Sequence, residues 1–272
     1  MSLRIQNNLE AFNAHRQLTT TSNMQAKAME KLSSGYRINR ASDDAAGLAI
    51  SQKLSAQVSG LDQATRNAQD AISLVQTGEG AMAEVHAMLQ RVRDLAVQYN
   101  NGTLSSSDKT AITDEVGQLC AEVNRIGSDT KFNGIALLTG SSSISFQVGA
   151  EDNQTIAVSS VALFGSGGSY KVDSNVFTFS GTVSISQIDQ AIENVSSARS
   201  TFGSVQNRLE HTINNLTTLE ENLQASESRI KDVDMAKEMV NFTKLNILQQ
   251  AGTSMLAQAN QSSQGVLSLL RG

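Results

Sequence analysis

Between Leu54 and Ala96 the chain reads "LSAQVSGLDQATRNAQDAISLVQTGEGAMAEVHAMLQRVRDLA". Leu54, Val58, Leu61, Ala68, Ile72, Val75, Met82, Val85, Leu89, Val92 and Ala96 follow one another at steps of three, four or seven, the spacing of a coiled-coil seam. Gly78 and Gly80 each weaken a helix by about 1 kcal/mol against alanine. The stripe keeps its phase across them, so one unbroken helix is expected, ending near Asn100 at "NNGT". Ser42 is the expected N-cap, with Asp43 and Asp44 complementing the helix dipole.

Working outward, a second helix is expected over about 108–127 on the stripe Ile112, Val116, Leu119, Val123 and Ile126. Before the long helix, Ile5, Leu9, Phe12, Met29, Leu32 and Tyr36 mark an N-terminal helix, broken at Gly35 and Asn39. Between 132 and 185 the period becomes two. Asn133-Gly134 is a turn signal, and Ile144/Phe146/Val148, Ile156/Val158 and Val183/Ile185 alternate as strands do. "FGSGGSYK" (164–171) reads as an exposed tip.

From Ile188 a helical seam resumes through Val195, Phe202, Val205, Leu209, Leu216 and Val233 to Val240. It continues as Leu248, Met255, Ala259, Val266 and Leu270. The fold class that follows is mainly α: a long, antiparallel, coiled-coil-like bundle, a hairpin of N- and C-terminal arms around a small β-hairpin region. Its expected parts are terminal helices at 1–43 and 231–272, a helical bundle at 44–131 and 186–230, and a β region at 132–185. The stripe of each terminal helix is the expected partner of the other, while Met235, Met239, Phe242, Leu245, Ile247, Leu267 and Leu269 lie off it, and further copies of the chain would cover that remaining apolar surface. Leu9, Phe12, Leu32, Val240, Leu248, Met255, Val266 and Leu270 are the expected assembly residues.

Composition agrees with thin bundles. Aromatic residues are 4% of the chain and tryptophan is absent, so a thick core is not expected. Proline is absent too, which leaves long helices unkinked and folding free of prolyl isomerisation. Cys120 has no partner for an internal disulfide and sits beside its helical stripe, as a small, partly buried residue would. The formal net charge of −5 combines mildly basic ends with an acidic middle, and no dense basic patch for nucleic acid is present.

Catalysis lacks parts. His15, His86 and His211 are isolated, and the metal, thiol and serine motifs are missing. Asp43-Asp44 and Glu220-Glu221 read as capping and solvation. Neither an enzyme nor a cofactor is expected. The sequons at Asn153, Asn194, Asn215 and Asn241 read as chance matches. No secretory signal or membrane span is seen, so these rules alone read the chain as cytoplasmic.

The stretches "KLSSGYRINRASDDAAGLAIS" (31–51), "LQRVRDLAVQ" (89–98), "KFNGIALL" (131–138) and "ILQQAGTSMLAQANQ" (247–261) resemble bacterial flagellins. Ser262 or Ser263 stands where that family commonly has proline, Cys120 is unusual for it, and large outer domains are absent. The resemblance implies a subunit that polymerises with its own copies into the extracellular filament of the flagellum. Its terminal segments would be disordered in the monomer and ordered in the polymer. It further implies unfolded export without a cleaved signal, with an export chaperone, export apparatus, filament cap and hook-junction proteins as partners. Recognition by the vertebrate flagellin-sensing Toll-like receptor is also implied, through residues matching Arg91, Leu95 and Glu115. A hook–filament junction adaptor is the alternative.

Overall fold

The computed structural model describes residues 8–139, 143–161, 172, 174–179 and 183–269. The tip at 164–171, Ile5, Leu270 and the side chain of Val266 lie outside the described residues. Five helices are described: α1 Leu9–Ser34, α2 Ala45–Tyr99, α3 Ser106–Asp129, α4 Ile185–Lys231 and α5 Met235–Leu269. Between α3 and α4 lie β1 Lys131–Phe132, β2 Ile135–Ala136, β3 Ser143–Gln147, β4 Thr155–Ser159 and a 3-10 turn at Ser174–Phe177. The architecture is mainly α, with two small antiparallel two-stranded sheets in the middle. Two compact units divide it, one of residues 1–56 and 222–272, the other of 57–221.

In the second unit α2, α3, α4 and the β region share one core. Val75, Met82, Val85, Leu89 and Val92 of α2 are sealed against Val116 and Val123 of α3 and Ile188, Val195 and Leu209 of α4. α2 runs through both glycines, as its stripe requires. Its buried face is wider than that stripe, because Ala64, Ala71, Leu74 and Leu95 are buried beside it.

α3 begins at Ser105, whose hydroxyl accepts from the Asp108 N–H while the Asp108 carboxylate accepts from the Ser105 N–H. This capping box satisfies donors that the first helical turn leaves open. α2 starts later than expected. Asp44, not Ser42, accepts the Gly47 N–H, while Asp43 turns back to accept from Asn39 and Arg40.

Hydrogen bonds from Ser105, first from its hydroxyl and then from its backbone, hold the Asp108 carboxyl below the ordinary aspartate range. A carboxyl with a lower pKa folded than unfolded stabilises above its unfolded value, and that contribution disappears as pH falls through the folded one. Asp108→Asn is therefore expected to lower thermal stability at neutral pH. The gap from the parent should close below about pH 4, as thermal melts followed by circular dichroism would show.

Asn133 and Gly134 both adopt positive φ, 48° and 80°, the two-residue turn that matches strand twist. It pairs Phe132 with Ile135. In the second hairpin Ile144 faces Val158 and Phe146 faces Ile156, which puts the apolar set on one side. Asn67 of α2 donates to the Gln147 carbonyl and anchors this hairpin. Val183 and Ile185 are not a strand. Asn100 exchanges two side-chain hydrogen bonds with the backbone of Val183, and Ile185 is the first residue of α4.

Candidate functional site

The first unit pairs α1 with α5 antiparallel: Asn8 donates to the Ala259 carbonyl at one end, and Val233 donates to Gly35 at the other. The seam between the helices mixes small and polar residues with four large apolar ones. Ala11, Ala14, Leu18, Thr21, Gln25 and Ala28 of α1 are half-buried or buried, as are Phe242, Leu245, Gln249, Gly252, Leu256 and Ala259 of α5. A Cβ at Gly252 would stand 3.1 Å from the Leu18 side chain, so this glycine admits a leucine into the facing helix.

This seam differs from the expected one. The stripe of larger apolar residues faces away from the partner helix. Phe12 is 70% exposed, Leu9 56%, Val240 71%, Leu248 46% and Met255 65%. Leu32 is half-buried, and Ala259 alone of the described terminal stripe faces α1. Conversely Phe242 and Leu245, which lie off that stripe, are the residues covered. α5 carries large apolar residues on more than one face, so their spacing alone does not fix which face meets α1.

Met239, Val240, Thr243, Lys244 and Ile247 line a shallow groove of about 390 Å³ along α5. Exposed apolar stripes of this length are uncommon on monomeric proteins and mark interaction surfaces.

The helix breaks of this unit lie side by side. Gly35 caps α1 in the left-handed conformation at φ 76°, where a Cβ would be strained. The next residue, Tyr36, makes an antiparallel bridge with Asp232. The Arg37 guanidinium donates to the Ile230 carbonyl, its backbone N–H donates to Lys231, and the Lys231 ammonium lies 4.4 Å from the centre of the Tyr36 ring. Asp234 then accepts the Lys237 N–H to start α5. A single seam running from α4 into α5 is thereby interrupted at 232–234.

Arg91 and Glu115 are brought together across α2 and α3. Nε and Nη2 of Arg91 donate to one carboxylate oxygen at 2.9 and 2.7 Å, and both side chains are about half exposed. Leu95 does not join them at the surface. It is 1% exposed, within the core, because it lies on the α2 face packed by the bundle. Cys120 is half-buried, and burial pushes its thiol pKa up against a lesser opposing hydrogen bond from Asn124.

Among the described residues no cluster of three metal-ligating side chains occurs, and no helix is long and apolar enough to cross a membrane.

Comparison with known proteins shows the family. The profile of the bacterial flagellin N-terminal helical region matches residues 5–143, and that of the C-terminal helical region matches residues 185–270. A flagellin of Halalkalibacterium halodurans is 52% identical over 270 residues, covering 98% of this chain and 99% of that one. A Bacillus subtilis flagellin is 47% identical, covering 99% and 100%. The crystal structure of Bacillus cereus flagellin aligns with a TM-score of 0.47 at 31% identity, over 60% of this chain and 94% of that one. With both helical regions matched and full-length relatives at this identity, the chain belongs to the bacterial flagellin family of structural filament subunits.

Proposed function

We infer that this flagellin polymerises through the outward faces of α1 and α5. Leu9, Phe12, Val240, Leu248 and Met255 form its main contacts, with Leu32 at the margin, and Val266 and Leu270 continue the stripe in the sequence. The observation that carries this is the exposure of a large apolar stripe on both terminal helices, outside the seam they already share. Covering a large apolar side chain contributes about 1.5–3 kcal/mol, and the thin inner seam leaves the pair marginal without that cover. Ordering of the termini therefore accompanies association.

Subunits meeting through unlike patches build an open helical polymer. Its place is the extracellular filament, reached by unfolded export with an export chaperone and completed by cap and hook-junction proteins. Seeded elongation followed by electron microscopy tests this function. Long filaments support it, whereas seeds merely capped by the protein would favour the junction adaptor.

The same reading makes the Arg91–Glu115 surface the site for the host Toll-like receptor, with Leu95 holding it from beneath. An exposed ion pair contributes only about 0–1 kcal/mol to stability, so Arg91→Ala should leave the fold and filament growth intact. Truncating an anchoring interfacial arginine costs on the order of 2 kcal/mol. Receptor affinity measured by surface plasmon resonance is expected to fall more than about tenfold. Unchanged affinity would remove these residues from the contact.

A further inference from the structure

We propose that Arg37 is a positioning residue which pins the register of α1 against α5, and so decides which outward apolar residues stand at the same level. The proposal rests on the assembly reading above for its consequence, but its geometry stands apart from it.

The seam leaves one slip of register open. Its α1 side repeats every seven residues as Ala14, Thr21 and Ala28, and its α5 side as Leu245, Gly252 and Ala259. Sliding α5 by one heptad would bring Ala259 opposite Leu18 in place of Gly252. A Cβ there meets Leu18 at 3.1 Å, so this slip requires the leucine to give way by a few tenths of an ångström. Among the described residues no ion pair joins α1 to α5.

The ends supply what the seam lacks. At one, the amide of Asn8 donates to Ala259. At the other, Arg37 ties the chain after α1 to the last carbonyls of α4 through its guanidinium on Ile230 and its backbone N–H on Lys231. The Gly35–Val233 bond and the Tyr36–Lys231 ring contact lie beside it. A heptad slip displaces one helix by about 10 Å and breaks all of them.

The consequence is on the outer face. Phe12 lies four residues into α1 from Asn8, and Met255 lies four residues back along α5 from Ala259. The two therefore stand at one level along the pair. Slippage would separate them by nearly two helical turns.

The test uses the full chain with Cys120→Ser, grown on filament seeds and treated with a bifunctional thiol reagent shorter than one heptad. Leu18→Cys with Gly252→Cys reports the native register, and Leu18→Cys with Ala259→Cys reports the slipped one. With Arg37 present only the first pair should close. In Arg37→Ala the slipped-to-native ratio should rise about tenfold, the effect of losing one charge-assisted hydrogen bond, and Arg37→Lys should restore most of the native pairing.

A native pattern in Arg37→Ala overturns the proposal. If Arg37→Ala does not grow alone, it is carried as a minor component of wild-type filaments and crosslinked there. Its exclusion while Arg37→Lys enters supports pinning, whereas exclusion of both assigns the side chain to folding and overturns it. Growth lost in Phe12 or Met255 variants whose crosslinks stay native concerns the assembly surface and not the pin.

Discussion

Replacing Phe12 and Met255 together with aspartate is expected to abolish elongation of filament seeds while the bundle formed by residues 57–221 stays folded. Both side chains are largely exposed in the isolated chain, 70% and 65%, and neither belongs to the core of the bundle. Their loss therefore removes little from the subunit itself. In the polymer the change is large. Two bulky apolar contacts disappear, together contributing about 3–6 kcal/mol, and two carboxylates would have to be buried without partners. The critical concentration should rise more than about a hundredfold.

Elongation watched by electron microscopy, with far-ultraviolet circular dichroism on the same samples, separates the two effects. Normal filaments from the double variant would show that the outward stripe is not an assembly surface. Loss of the helical signal of the bundle would show instead that these residues stabilise the subunit.

The contrast between the two units explains what was legible in the sequence. In α2, α3 and most of α4 the largest apolar residues are also the buried ones, so spacing alone located the core: Val75, Met82, Leu89, Val116, Val195 and Leu209 are all sealed. The turn at Asn133-Gly134 was legible because its two positive φ angles demand those residue types.

In α1 and α5 spacing marked the outward face rather than the seam. Large apolar residues lie on both, with Leu18, Phe242, Leu245 and Leu256 in the seam and Phe12, Val240 and Met255 exposed, so spacing alone does not tell the two apart. Leu95 shows a related limit. A matching residue pattern cannot distinguish a surface contact from a neighbour one helical step away that faces the core. Val183 and Ile185 fail for another reason, since two alternating residues are too few to tell a strand from a capped helix start.

Phe202→Ala is expected to destabilise the 57–221 unit by about 3–5 kcal/mol, the usual cost of truncating a sealed phenylalanine. The ring is 1% exposed in the shared core, and it lies so close over Gly78 that a Cβ there would come within 2.6 Å of Cε2. This contact reinterprets the two glycines of α2. At Gly80 a Cβ would meet nothing within 4 Å, so Gly80→Ala should stabilise by about 1 kcal/mol through helix propensity alone.

Gly78→Ala gains the same propensity but drives a methyl into an aromatic ring held by packing, and overpacking of this kind costs about 1–3 kcal/mol. Its net effect should be destabilising, opposite in sign to that at Gly80. In the Phe202→Ala background the collision is gone, and Gly78→Ala should then become stabilising. Urea titrations of the four combinations measure this reversal as a coupling energy. Additive effects of the two substitutions would mean that Gly78 is not kept small by the Phe202 ring, and the continuity of α2 through its glycines would need another cause.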